Sequence, residues 1–254
     1  MYRPSTPEDS DLLMSGFVKV EGNKVFLDPE MQHLACYTGG MFALGGKIFQ
    51  NDDHAKIGRK LADTCVWAYK ASPAGIMPEV SHLLKCANST SCHWDEKAWH
   101  EAIATRTDDS SKEKNPLKNI ANLRLPSGFT SIDDRRYILR PEAIESVFIM
   151  YRITGEQQWQ AAAWDMWTAI MRSTDTDIGN SALRDISADS PPRMDSMEVS
   201  MLFKSRSDRE VWDANNETEF LDGRNAQVLL LDVQRTKRDQ SGCCLLYTSP
   251  SPRD

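Results

Sequence analysis

Positive charge is in short supply: 30 lysines and arginines face 37 aspartates and glutamates, a formal net charge of −7. That balance argues against nucleic acid or an anionic membrane as the main partner. No window reaches 18 consecutive apolar residues, so no transmembrane helix is expected. The residues after Met1 (Tyr2-Arg3-Pro4-Ser5-Thr6-Pro7-Glu8-Asp9) lack the apolar core of a signal peptide, which leaves a cytosolic protein or a missing true N-terminus. The cysteines (Cys36, Cys65, Cys86, Cys92, Cys243 and Cys244) contain no C-x-x-C pair and no Cys/His cluster of zinc spacing, so no structural metal site is expected. Strand signals are few.

Helical periodicity is what the chain does have. With 254 residues, 40% hydrophobic and 26% charged, it can bury a sizeable core as one large domain or two small ones. Asn51-Asp52-Asp53 can cap a helix whose apolar positions are Ile57, Leu61, Cys65, Val66 and Tyr69, with Pro73 and Gly75 ending it. A second helix is expected over Trp94–Thr105, and a long polar loop over Arg106–Asp134. Pro141 can then open a helix with Ile144, Val147, Phe148 and Tyr151 on its apolar face and Gly155 as C-cap. Glu156–Arg172 follows almost at once, which predicts an antiparallel hairpin. Its Trp159, Trp164 and Trp167 read as core packing rather than sugar platforms. Hairpins separated by long loops suggest an all-α fold, an α/α toroid with function on the loops.

From Val199 onward no period is sustained, and the apolar run Val228–Val233 is the one candidate element there. The last ten residues, Leu245–Asp254, resemble a translated adapter or vector scar.

Cys86 and Cys92 flank the sequon Asn88-Ser89-Thr90. A disulfide-closed loop bearing a glycan would fit a secretory compartment; a chance sequon beside two thiols fits as well. Arg140, Glu142 and Glu145 form the densest chemical signal. A guanidinium beside two carboxylates can pair with vicinal sugar hydroxyls and can serve carboxylate-assisted glycoside hydrolysis. The same residues also suit a solvated helix N-terminus with ordinary capping acids.

Four blocks carry a family resemblance: MQHLACYTGGMFALGG (31–46), GIMPEV (75–80), RYILRPEAIESVFIMYRITGE (136–156) and DSME (195–198). In this order they resemble segments of the class I α-1,2-mannosidases, glycoside hydrolase family 47, with MPEV and the Cys86–Cys92 loop most similar to the filamentous-fungal branch. The likeness covers about residues 12–198. It implies a partial (αα)7 barrel and an enzyme that removes terminal α-1,2-linked mannose from high-mannose N-glycans, with inversion and a calcium ion at the barrel bottom. It also implies a secretory-pathway location and a disulfide between Cys36 and Cys65. By the same resemblance Glu142 and Glu79 are core catalytic carboxylates, and His33, Arg140 and Glu145 contact substrate.

The chain departs from the family in two places. The upstream part, which supplies the proposed acid and base, has no counterpart. After Glu198 an expected aromatic and glutamate give way to Val199-Ser200-Met201, and the threonine motif that binds calcium is absent. Residues 199–254 are thus expected to be a non-homologous tail, with Val199-Ser200 what a retained intron would encode. The chain alone is expected neither to bind calcium tightly nor to trim glycans. A mannosidase-like lectin of glycoprotein quality control and a non-enzymatic helical scaffold are the rival readings. Retention of Cys36 and Cys65 speaks for the hydrolase.

Overall fold

In the computed structural model, which describes residues 1–88, 92–106, 115–177 and 179–197, the expected cap at Asn51 is formed. Its side-chain oxygen accepts from the N–H groups of Asp53 and His54, both at 3.1 Å, satisfying two donors of the first turn. Helix α2 (Asp52–Ala71) runs from there, and Gly75 takes φ +72° in the turn beyond it. Helix α1 (Tyr37–Ile48) precedes it, entered through a 3₁₀ turn, His33–Cys36.

The two helices cross closely because glycines and alanines face each other in antiparallel order. A Cβ on Gly39 would meet Ala62 N at 2.9 Å, one on Gly58 would meet Ala43 N at 2.5 Å, and one on Gly46 would meet Ala55 N at 2.6 Å. Backbone sits where side chains would otherwise stand, so this pairing tolerates only small residues. The glycine-rich block 39–46 is therefore a packing motif.

The hairpin expected after Pro141 forms. Helix α5 (Glu142–Thr154) ends at Gly155, φ +71°, whose N–H reaches Tyr151 O at 2.7 Å, and α6 (Gln157–Thr174) follows. Two expectations need correction here. The buried face of α5 is Ala143, Ser146, Val147 and Met150, so of the four apolar positions read from sequence only Val147 is buried. Small Ala143 and Ser146 win the contact because α1 approaches closely there: Gly40 N–H donates to Ser146 Oγ at 2.9 Å. Of the tryptophans, Trp159 is buried, Trp164 is 42% exposed and Trp167 lies half-buried.

The all-α expectation holds only in part, since the chain is helix-rich but carries two small sheets. Strands β1 (Phe17–Glu21) and β2 (Lys24–Asp28) form an antiparallel hairpin. Strands β3 (Glu30–Gln32), β4 (Val80–Leu83) and β5 (Phe129–Asp134) form an antiparallel sheet in that order. Strands this short carry little alternation, and their partners lie far away in sequence. The loop expected over 106–134 likewise contains β5 and helix α4 (Pro116–Leu123), which Asn115 caps. Helix α3 (Glu96–Arg106) starts two residues later than expected, with the N–H of Ala98 bonded to Asp95 Oδ1.

The core centres on Trp159, Tyr69, Tyr137, Phe129, Met31 and Met77. On α1, Tyr37, Met41, Leu44 and Ile48 make an exposed apolar stripe at helical spacing, each at least 45% exposed. No helix among the described residues is long and apolar enough to cross a membrane. Glu198, the tail from Val199, Cys243, Cys244 and the sequon's Ser89 and Thr90 lie outside the described residues.

Candidate active site

Three distant segments meet at Glu79. His33 N–H donates to Glu79 O at 2.9 Å, and Glu79 N–H donates to Arg136 O at 3.0 Å. This joins the end of β3, the start of β4 and the strand leading to α5. The side chain of Glu79, 6% exposed, accepts from Ile138 N–H at 3.0 Å and from Arg140 Nε at 2.6 Å. Between those donors lies Leu139, fully buried and at φ +63°. A left-handed backbone costs a leucine about 1 kcal/mol or more. Here it turns the chain so that the Ile138 amide and the Arg140 guanidinium both reach one carboxylate.

Burial pushes the Glu79 carboxyl above the usual carboxylate range, with Arg140 and the Ile138 amide working against it. Arg140 also reaches toward Glu142, Nη1 to Oε1 at 3.9 Å. The other oxygen of Glu142, Oε2, is buried and has no hydrogen-bond partner among the described residues. A buried acceptor left open in this way is a place for a hydroxyl or a water. Glu145 lies one turn further along α5, on the exposed side. Burial, then the neighbouring Glu142, raises its carboxyl's affinity for a proton.

His33 is completely buried. Its Nε2 shares a 2.9 Å hydrogen bond with Tyr69 Oη, its ring lies 5.5 Å from that of Tyr137, and Nδ1 is unpartnered among the described residues. Burial first, then the positive charge of Arg140, lowers its pKa to about 3, so the ring is neutral at physiological pH. His33 is thus close to Arg140 but walled in by two tyrosines.

A cleft of about 160 Å³ opens on the same place, lined by Gln32, Leu34, Glu79, Val80, Asp134, Arg136, Ile138 and Arg140. Sequence reasoning passed over Asp134 and Arg136, which pair at 2.6 Å, and over Tyr69, Tyr137 and Leu139. Arg136 and Tyr137 stand inside the block that carries the family likeness, which was the available signal. Tyr69 had only a helix-face position.

Two disulfides are formed among the described residues. Cys36 and Cys65 are disulfide-bonded with Cα atoms 6.0 Å apart, which bears out the pairing implied by the resemblance. Ser146 Oγ donates to Cys36 O at 2.6 Å while accepting from Gly40. Cys86 and Cys92 are also bonded to each other. Elsewhere, Asp28, Glu30 and His82 bring one ligand atom each within 4.8 Å of one another, close enough to hold a metal ion. It is an Asp/Glu/His group assembled across strands, distinct from the Cys/His spacings considered in the sequence. Glu79, Glu142 and Glu145 do not form a comparable group among the described residues.

A disulfide-stapled helical hairpin and a second hairpin thus frame a cleft at which one arginine stands between two carboxylates. Residues 1–203 match glycosyl hydrolase family 47, and the chain belongs to that family. It is 32% identical over 166 residues to a probable mannosyl-oligosaccharide alpha-1,2-mannosidase 1B of Aspergillus fumigatus, covering 65% of this chain and 28% of that protein. It is 33% identical over 171 residues to a mannosyl-oligosaccharide alpha-1,2-mannosidase of Coccidioides posadasii, covering 67% and 27%. Among solved structures it resembles the alpha-1,2-mannosidase from Trichoderma reesei, with a TM-score of 0.57 and 27% identity over 78% of this chain and 35% of that one. The chain therefore spans under a third of the length of these curated relatives.

Proposed function

We propose that this chain is part of an α-1,2-mannosidase that removes terminal mannose from high-mannose N-glycans, within a barrel of helical hairpins completed by segments this chain does not supply. The observation that carries the reading is the Arg140 guanidinium set between Glu79, at 2.6 Å, and Glu142, at 3.9 Å, with Glu142 Oε2 left without a donor among the described residues. In this reading Arg140 and Glu142 bind vicinal hydroxyls, and Glu142 orients a hydroxyl or water at the reacting carbon. Glu145 contacts the sugar from the exposed side of α5. Both oxygens of Glu79 already accept hydrogen bonds, so Glu79 acts through Arg140 as a positioning residue. The burial of His33 favours the same kind of role beneath the floor.

Inversion, implied by the family likeness, requires acid and base about 6.5–9.5 Å apart with a water between. Calcium, implied in the same way, prefers six to eight oxygen ligands. The described residues do not assemble such a cage: Glu79 is engaged, and Glu142 offers one free oxygen. The exposed apolar stripe on α1 favours an inactive chain in isolation, since an open arc leaves such faces uncovered. Two disulfides suit an oxidising, secretory compartment. The lectin reading is not favoured, because the relatives named above are mannosidases.

The test is Glu142→Gln in the complete protein. Loss of mannose release by a hundredfold or more with sugar binding retained supports the proposal. Undiminished turnover would exclude a catalytic Glu142, and turnover by the isolated chain at a relative's rate would overturn its proposed incompleteness.

A further inference from the structure

Away from the cleft, at the other end of the three-stranded sheet, His82 on β4 stands directly opposite Glu30 on β3. Its side chain is 6% exposed, and Nδ1 lies 2.5 Å from Asp133 Oδ2 and 3.2 Å from Ser131 Oγ. If Nδ1–H donates to Asp133, Nε2 presents a lone pair. That atom makes no hydrogen bond among the described residues, yet it points at two carboxylates: Asp28 Oδ1 at 3.0 Å and Glu30 Oε2 at 3.9 Å. A lone pair aimed at two anions is unfavourable, so that nitrogen calls for either a proton or a metal cation between it and the carboxylates.

We propose that His82 Nε2, Asp28 and Glu30 form a binding site for a zinc-class divalent metal ion, with an open fourth position for water. The separations suit that ion. Zinc bonds of about 2.0–2.1 Å in a tetrahedron place neighbouring ligand atoms roughly 3.4 Å apart, and the two imidazole–carboxylate distances lie on either side of that value. One imidazole with two carboxylates selects a borderline ion over calcium, which takes oxygen ligands.

The surroundings are those of a metal-binding histidine. Asp133 fixes the tautomer from behind, as the outer partner does in carboxylate–histidine–zinc arrangements. Gln32 Nε2 holds Glu30 Oε1 at 2.6 Å, leaving Oε2 for the site. The ligands also explain what the ion would do. Asp28 ends β2, whose hairpin with β1 is largely exposed, whereas Glu30 and His82 belong to the other sheet. An ion between them clamps the hairpin to the sheet, and its binding energy becomes folding energy.

The full chain, stripped with chelator, would be titrated with zinc chloride at neutral pH beside the near-isosteric double variant Asp28→Asn/Glu30→Gln. We expect the variant to take up one equivalent fewer, or to bind that equivalent at least tenfold more weakly. Zinc should raise the melting temperature of the unmodified chain alone, and calcium should not reproduce the shift. Asp133→Asn, which leaves all three ligands in place, should weaken binding about 10–100-fold. Equal stoichiometry and equal thermal response in the two proteins would overturn the site. Should the double variant fail to fold, cobalt(II) added to the unmodified chain decides the matter: intense visible bands of a low-coordinate nitrogen/oxygen site support the proposal, and a spectrum no different from aqueous cobalt sinks it.

Discussion

Arg140 Nε donates to Glu79 Oε2 at 2.6 Å across 61 residues of sequence, and Glu79 is the more deeply buried partner, 6% against 28% side-chain exposure. An ion pair of this kind adds little net stability when intact, but losing one partner strands the other. Arg140→Met should therefore destabilise the protein by about 3 kcal/mol in urea melts. Adding Glu79→Gln to that variant should recover much of the loss, because the stranded charge is gone. If the double variant is as unstable as the sum of the two single changes, the pair is not coupled as described.

Two glycines of the first hairpin should respond in opposite directions. Gly58→Ala would put a Cβ 2.5 Å from Ala43 N and 2.7 Å from Gly39 O, both backbone atoms that cannot swing aside. A loss of about 3 kcal/mol is expected. Gly45→Ala meets nothing within 4 Å and lies inside α1. It should gain about 0.5–1 kcal/mol from helix propensity. Thermal melts of both variants check the sign.

His33 should make stability fall with acidification. Its pKa is near 3 when folded and 6.5 when free, so below about pH 6.5 the unfolded chain takes up a proton that the folded chain refuses. Stability is fully present above pH 6.5 and declines down to about pH 3, at up to about 1.4 kcal/mol per pH unit. Glu79 has the opposite sign: its raised pKa means that the cost of burying its charge grows as pH rises through the carboxylate range. Urea melts of His33→Gln between pH 4 and 7 should show a flatter pH dependence than the unmodified protein. An unchanged slope would remove His33 as the cause.

Reducing the Cys36–Cys65 bridge, which closes a separation of 29 residues, should cost about 3–4 kcal/mol on the chain-entropy account. Cys36 O is also the acceptor for Ser146 Oγ. Cys65→Ala should therefore loosen the contact between α1 and α5 as well, read as faster amide exchange at Gly40, whose N–H is bonded to that same hydroxyl. Unaltered exchange at Gly40 would separate the bridge from the serine contact.

Much of the helical framework was legible before any coordinates, because its signals are local. Asn51 announces a cap by its own side chain, Gly155 a C-cap by its freedom at positive φ, and Pro141 a helix start by its missing donor. The faces of the helices were less legible. Ile144 and Phe148 look like core on a helical wheel, yet Ala143 and Ser146 are buried in their place, because the neighbouring helix comes near enough to exclude anything larger.

The sequence by itself determined the family, the hairpin of α5 and α6 and the candidacy of Glu79, Arg140 and Glu142, since each depends on residues adjacent in the chain or on a block of recognisable text. Only the tertiary structure decided what those residues do to one another. The sheet β3-β4-β5, built from three short strands far apart in sequence, carries Glu79 to Arg140 and His82 to Glu30. A hydrogen-bonded register between distant strands leaves no periodic trace in the sequence, and so the site's contacts, the left-handed turn at Leu139 and the His82 cluster became visible only once the chain was folded.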